Sequence, residues 1–165
     1  MITHFDESDI LKYKKRFIEL TNGTEKMTKE EFISNLIENP LKERVAKVFG
    51  YDEVSSMNFR SFLIGLSQFN CHGDNDTKLK VAFRLQDIDD DGVINRNDLR
   101  KYLDLITPEG KAEEEIELSN DIFDYDYCID EVFKEVSSDG EVITFNDFSR
   151  IIATTDFQTK LYLNL

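Results

Sequence analysis

A six-residue pattern that occurs four times constrains this chain more than any other feature. Each copy runs apolar residue, helix-capping residue, two variable residues, usually an acid, then Phe or Leu. The copies are Met27-Thr28-Lys29-Glu30-Glu31-Phe32, Met57-Asn58-Phe59-Arg60-Ser61-Phe62, Ile94-Asn95-Arg96-Asn97-Asp98-Leu99 and Ile143-Thr144-Phe145-Asn146-Asp147-Phe148. Thr or Asn at the second place caps the helix that follows by accepting from its first amides. The acid three residues on completes a capping-box arrangement and sits at the positive helix end. The second copy has Ser61 there instead. The closing Phe or Leu begins the buried face of the next helix.

A helical segment precedes every copy. Residues 8–20 carry Ile10, Phe17 and Leu20 at helical spacing; residues 40–49 open with Asn39 as cap and Pro40 at the first helical position; residues 77–86 carry Leu79, Phe83 and Leu85; residues 121–134 carry Ile122, Ile129 and Phe133. Helix, loop, cap, helix, in four copies, is the EF-hand arrangement. The expected fold is all-α, four EF-hand helix-loop-helix repeats paired into two lobes. The apolar residue before each cap pairs two loops as a short antiparallel ribbon, first with second and third with fourth. The corresponding boundaries are 1–70 for the N-terminal pair, 71–76 for a connector, 77–155 for the C-terminal pair and 156–165 for a tail. A further connector from Thr107 to about Ser119 carries three successive glutamates, read as a solvated surface.

Calcium takes six to eight oxygen ligands from a 12-residue loop, with Gly at the sixth position for the sharp turn. The third loop fits this plan. Asp87, Asp89 and Asp91 stand at the first, third and fifth positions, and Gly92 at the sixth. Val93 would offer its backbone carbonyl, Asn95 would act through water, and Asp98 closes the loop. Glu is usual at that last place. Asp98 is one methylene shorter, which predicts weaker calcium binding and more tolerance of six-coordinate magnesium. The other loops are poor. The first, between Leu20 and Glu31, has too few carboxylates and is one residue short. The second, Gly50 to Ser61, has Val54 at the fifth position and no closing acid. The fourth has two registers: Val136 to Asp147, or, with Gly140 at the sixth position, Glu135 to Asn146. Neither supplies a full ligand set, so one site is expected, for Ca2+ with Mg2+ as an alternative.

The whole chain has 165 residues and a formal net charge of -14, which disfavours nucleic acid and suits a cation or a basic partner segment. Cys71 and Cys128 lack metal-ligand spacing and are expected as free thiols in a reducing, cytoplasmic setting. No run is long and apolar enough for a membrane span. The opening Met-Ile-Thr-His-Phe-Asp is too polar for a signal peptide, and Ile2 stands where myristoylation needs Gly, so no lipid anchor is expected as written. No nucleophile, base and acid fall together outside the loops, and the chain is not expected to be an enzyme.

Several stretches between the loops resemble the calcineurin B family, the regulatory subunits of a Ser/Thr phosphatase. They are His4-Phe5-Asp6, Lys15-Arg16-Phe17, Asn39-Pro40-Leu41, Arg44-Val45, Gly65-Leu66-Ser67-Gln68-Phe69 followed by Gly73-Asp74, and Lys78-Leu79-Lys80-Val81-Ala82-Phe83-Arg84. The resemblance runs from about residue 4 to the C-terminus. It implies a non-catalytic regulatory subunit that holds an amphipathic helix of a catalytic subunit in an apolar groove. Candidate groove residues are Phe62, Leu66, Phe69, Leu79, Phe83, Leu99, Leu103, Ile106, Phe148, Ile151 and Ile152. The tail residues Phe157, Leu161 and Leu163 could cover part of it. Family members usually hold four calcium ions and begin Met-Gly, and this chain departs on both counts. The alternatives are an adaptor for another target, such as a kinase, and a calcium buffer; three poor loops argue against the buffer.

Overall fold

The computed structural model describes residues 3–36, 38–70, 74–107 and 124–152. Cys71, His72, Ile122, the acidic run and the C-terminal tail lie outside the described residues. Two compact units divide the chain, one up to Ala82 and one from Phe83. The division falls inside a helix, Asn75–Gln86.

The first unit opens with α1, Glu7–Leu20, started by a reciprocal Asp6–Asp9 capping box. Strand β1, Lys26–Thr28, leads into α2, Lys29–Ser34. Helix α3, Lys42–Ala46, continues as a π-helical turn over Lys47–Tyr51. It starts later than the sequence suggests. Asn39 caps a turn before it, accepting from the Leu41 amide at 2.9 Å, and Pro40 lies in that turn. Strand β2, Ser56–Asn58, leads into α4, Phe59–Phe69. β1 and β2 pair antiparallel with Met27 opposite Met57, the ribbon expected from the repeat.

Aromatic rings hold these helices together. Phe17 meets Phe62 at 5.3 Å between centroids, Phe62 meets Phe49 at 5.7 Å, and Phe49 meets Phe32 at 4.5 Å. Phe17, Phe32 and Phe62 are each 1% exposed, so each contributes roughly 2–3 kcal/mol of burial. Gly65 is required by this packing: a Cβ there would lie 2.7 Å from the Phe49 ring and carbonyl.

In the second unit, α5 (Asn75–Gln86) enters the third loop and α6 (Arg96–Ile106) leaves it. Helix α7, Tyr125–Val136, enters the fourth loop and α8, Phe145–Ile152, leaves it. Ile94 and Ile143 exchange backbone bonds of 2.9 and 2.8 Å, so the third and fourth loops pair as the first and second do. Phe83 packs edge-on against both Phe145 and Phe148 at 5.6 Å, and Phe133 is fully buried. Among the described residues no helix is long and apolar enough to cross a membrane.

Candidate metal centre

The third loop begins where α5 ends. Asp87, Asp89 and Asp91 each offer one carboxylate oxygen, and these three atoms lie within 4.8 Å of one another. Even at the dielectric constant of water, like charges that close repel by about 0.9 kcal/mol per pair. The backbone forces the convergence: Asp90 and Gly92 have φ of 60° and 90°, a left-handed path that turns the chain back on itself. Internal bonds fix the carboxylates. The Gly92 amide donates to Asp87 Oδ2 at 3.1 Å, the Asp91 amide to Asp89 Oδ1 at 3.3 Å, and the Val93 amide to Asp91 Oδ1 at 3.0 Å.

Asn95 and Asp98 form the capping box at the head of α6. Asn95 Oδ1 accepts from the amides of Asn97 and Asp98, and Asp98 Oδ2 accepts from the Asn95 amide at 3.0 Å. Asp98 is fully buried, and its Oδ1 has no hydrogen-bond partner among the described residues. A buried carboxylate oxygen left without a partner is costly unless a cation meets it. The donor set is therefore all oxygen, carries four carboxylates, and includes at the closing position a buried oxygen without a hydrogen bond among the described residues. It fits a hard cation such as calcium or magnesium.

The remaining loops satisfy themselves. In the first, α1 runs to Leu20, so Thr21 heads a segment, Thr21–Glu31, one residue shorter than Asp87–Asp98. Thr21 is fully buried and its hydroxyl, with one hydrogen to donate, lies 2.9 Å from Phe17 O and 3.0 Å from Thr24 O. In the second, the π-helical turn carries Tyr51 inward. Its ring lies 5.2 Å from Phe32 and its hydroxyl donates to Met27 O at 3.2 Å. Burial pushes the Tyr51 phenol well above its usual value, with Glu31 and Glu30 adding to the rise.

The fourth loop takes its register from both ends. Ile143 pairs with Ile94, and Thr144 and Asp147 form the cap, so Asp147 closes the loop rather than Asn146. Helix α7 extends through Val136, so Ser137 stands at the head and the loop is one residue short. The Glu135–Asn146 register is not adopted. Asp147 is 5% exposed, and both its oxygens are engaged. Ser138 donates its hydroxyl to Oδ1, while Thr144 donates its amide and its hydroxyl to Oδ2 at 3.1 and 2.7 Å. These bonds, led by Ser138, hold the carboxyl down at about 2. Arg150 lies 3.4 Å from Asp147 Oδ1 and donates to Val136 O at 2.9 Å. Sequence reasoning missed both Arg150 and the Ser137 head. Arg150 at three residues past the closing acid is the one signal that could have found it.

The candidate groove residues divide by burial. Phe62, Leu66, Phe69, Phe83 and Phe148 are buried within their own units. Leu79, Leu99, Leu103, Ile151 and Ile152 are half-buried, and Ile106 is exposed. Leu105, beside Ile106 and absent from the sequence-based candidates, is 44% exposed.

No family model matches the chain. It is similar over nearly its whole length to several curated proteins. It is 33% identical to the calcineurin B protein of Naegleria gruberi, covering 99% of this chain and 89% of that protein. It is 31% identical to the type 2 calcineurin B protein of Bos taurus, covering 96% and 91%, and 31% identical to that of Homo sapiens, covering 99% and 93%.

Proposed function

This chain belongs to the calcineurin B family of EF-hand proteins, and from that premise we propose that it holds calcium in its third loop alone and serves the catalytic subunit of a calcineurin-type phosphatase. Like the family it belongs to, it is a non-catalytic, calcium-binding regulatory subunit. The ligands are Asp87, Asp89, Asp91 and Asp98, with the Val93 carbonyl and with Asn95 acting through water.

The single observation that carries the site is the buried Oδ1 of Asp98, which has no hydrogen bond among the described residues while Oδ2 is taken by the Asn95 amide. One free oxygen, where a Glu would present two, favours a six-coordinate ion and makes magnesium a real competitor of calcium. Calorimetric titration tests this. The expected result is one calcium per chain, with affinity that falls in millimolar magnesium. Two or more equivalents, or binding indifferent to magnesium, would overturn it.

The partner-binding half of the reading rests on family membership and on the apolar surface left on α6 and α8. Leu99, Leu103 and Ile106 on α6 and Ile151 and Ile152 on α8 keep area for an amphipathic helix, with Leu79 on α5 a further candidate. Phe83 and Phe148 would shape such a surface from behind, within the second unit, whereas Phe62, Leu66 and Phe69 are core of the first. Because three loops need no cation, the partner should stay bound when calcium is removed. Capture of the tagged chain from its own lysate, with and without chelator, is the test. A stoichiometric phosphatase chain that survives chelation supports the reading; a kinase, or no partner, transfers it to the adaptor or buffer.

A further inference from the structure

The fourth hand has the outline of a metal-binding hand with a side chain where the cation would work. A bound ion in such a loop links the head of the loop to the carboxylate that closes it. Here one guanidinium does so. Arg150, from the second turn of α8, donates to the Val136 carbonyl at the end of α7 at 2.9 Å and lies 3.4 Å from the closing Asp147. It also reaches the Ser138 hydroxyl at 3.5 Å, and that hydroxyl itself donates to Asp147 Oδ1. A second guanidinium holds the middle of the loop. Arg96, from the first turn of α6, donates to the Gly140 carbonyl at 3.0 Å, pairs with Asp130 of α7 at 3.0 Å and lies over the Phe133 ring at 4.4 Å.

The interior of the loop is closed by its own hydrogen bonds. The Ser137 hydroxyl accepts from the Gly140 amide at 2.9 Å and donates within the loop. Asp139 Oδ1 accepts from the amides of Glu141 and Val142 at 2.8 and 3.1 Å. Both oxygens of the closing carboxylate are used, so no orphaned atom invites an ion there, whereas Asp98 Oδ1 in the third loop is orphaned. The segment from the end of α7 to the closing acid is also one residue shorter than its counterpart in the third loop.

We propose that Arg150, seconded by Arg96, is a built-in cation that keeps the fourth hand in its closed, loop-paired form without metal. The fourth hand is then a fixed half of the ribbon, on which the third loop docks through Ile94–Ile143 and Arg96. This goes beyond the metal assignment and does not depend on it, because the closed state is predicted in the absence of any divalent ion.

The test is amide hydrogen exchange of the full chain in EDTA, read residue by residue across 137–147. In the wild type, the amides of Gly140, Val142, Ile143, Thr144 and Asp147 are expected to be protected, and adding calcium should change them less than threefold. Arg150→Gln should speed their exchange at least tenfold in EDTA while leaving the amides of α1 and α4 unchanged. Arg150→Lys, which keeps the charge and loses the fork, should fall between the two and serves if the Gln variant does not fold. The proposal is overturned if these amides are unprotected in wild type until calcium is added, or if both variants exchange as the wild type does. Loss of calcium binding at the third loop alone would leave these expectations intact.

Discussion

Asp98 and Asp147 close the third and fourth loops from the same place, each three residues after a capping residue and each almost without exposure. Asp98 has one oxygen on a backbone amide and the other bonded to nothing among the described residues. Asp147 has both oxygens occupied by hydroxyls and an amide, with a guanidinium beside them. The surroundings differ in the same direction. The third loop gathers three more carboxylates within 4.8 Å of one another and turns on Gly92. The fourth is one residue shorter, has Ser137 at its head and is bridged by Arg150. The lesson is that a closing acid does not by itself leave an oxygen open to a cation. What differs between the two loops is whether the fold supplies partners for both oxygens.

The largest effect should come from removing charge in the third loop. Asp87→Asn is expected to cost at least 100-fold in calcium affinity, about 2.7 kcal/mol, by calorimetry. The same affinity in that variant would mean that the ion sits elsewhere. Next, Ser138→Asp in the fourth loop should not create a second calcium equivalent, because the loop remains one residue short and Arg150 remains in place. A second equivalent would show that ligand chemistry alone, and not loop length, separates the two hands. Asp98→Glu should act on a smaller scale, raising calcium affinity about tenfold, roughly 1.4 kcal/mol, and reducing magnesium competition. No gain would mean that the buried position lacks room for the longer side chain.

The smallest expected effect is a pH dependence confined to the fourth loop. Asp147 titrates at about 2 in the folded chain, below the ordinary carboxylate value. Ionisation therefore favours the folded state, and that contribution is complete above about pH 4 and lost as the pH falls towards 2. Thermal melts in EDTA should show wild type above Asp147→Asn at pH 6, with the gap closing below pH 4. A gap unchanged down to pH 2 would mean that shape, rather than charge, is what Asp147 contributes.

Much of this was legible in the residues. The four capping positions, the three returning acids and the ribbon residues all stand where the pattern put them, because each depends on neighbours within a few positions in sequence. The carboxylate cluster of the third loop is equally local, since Asp87, Asp89 and Asp91 alternate along one turn. The start of α3 was less legible: Asn39 and Pro40 signal a helix, yet they form a turn before it.

The sequence by itself determined the repeat, the all-helical fold, the pairing of loops and the loop in which three aspartates converge, because those follow from short-range backbone preference and side-chain alternation. Only the tertiary structure decided the register of the fourth loop, since the end of α7 at Val136 and the Ile94–Ile143 pairing together fix its two ends. It also decided that Asp98 keeps an uncompensated oxygen while Asp147 does not. Arg150, Ser138 and Val136 come from opposite ends of a loop, and a buried charge is compensated by whatever the fold brings against it, not by what adjoins it in the chain.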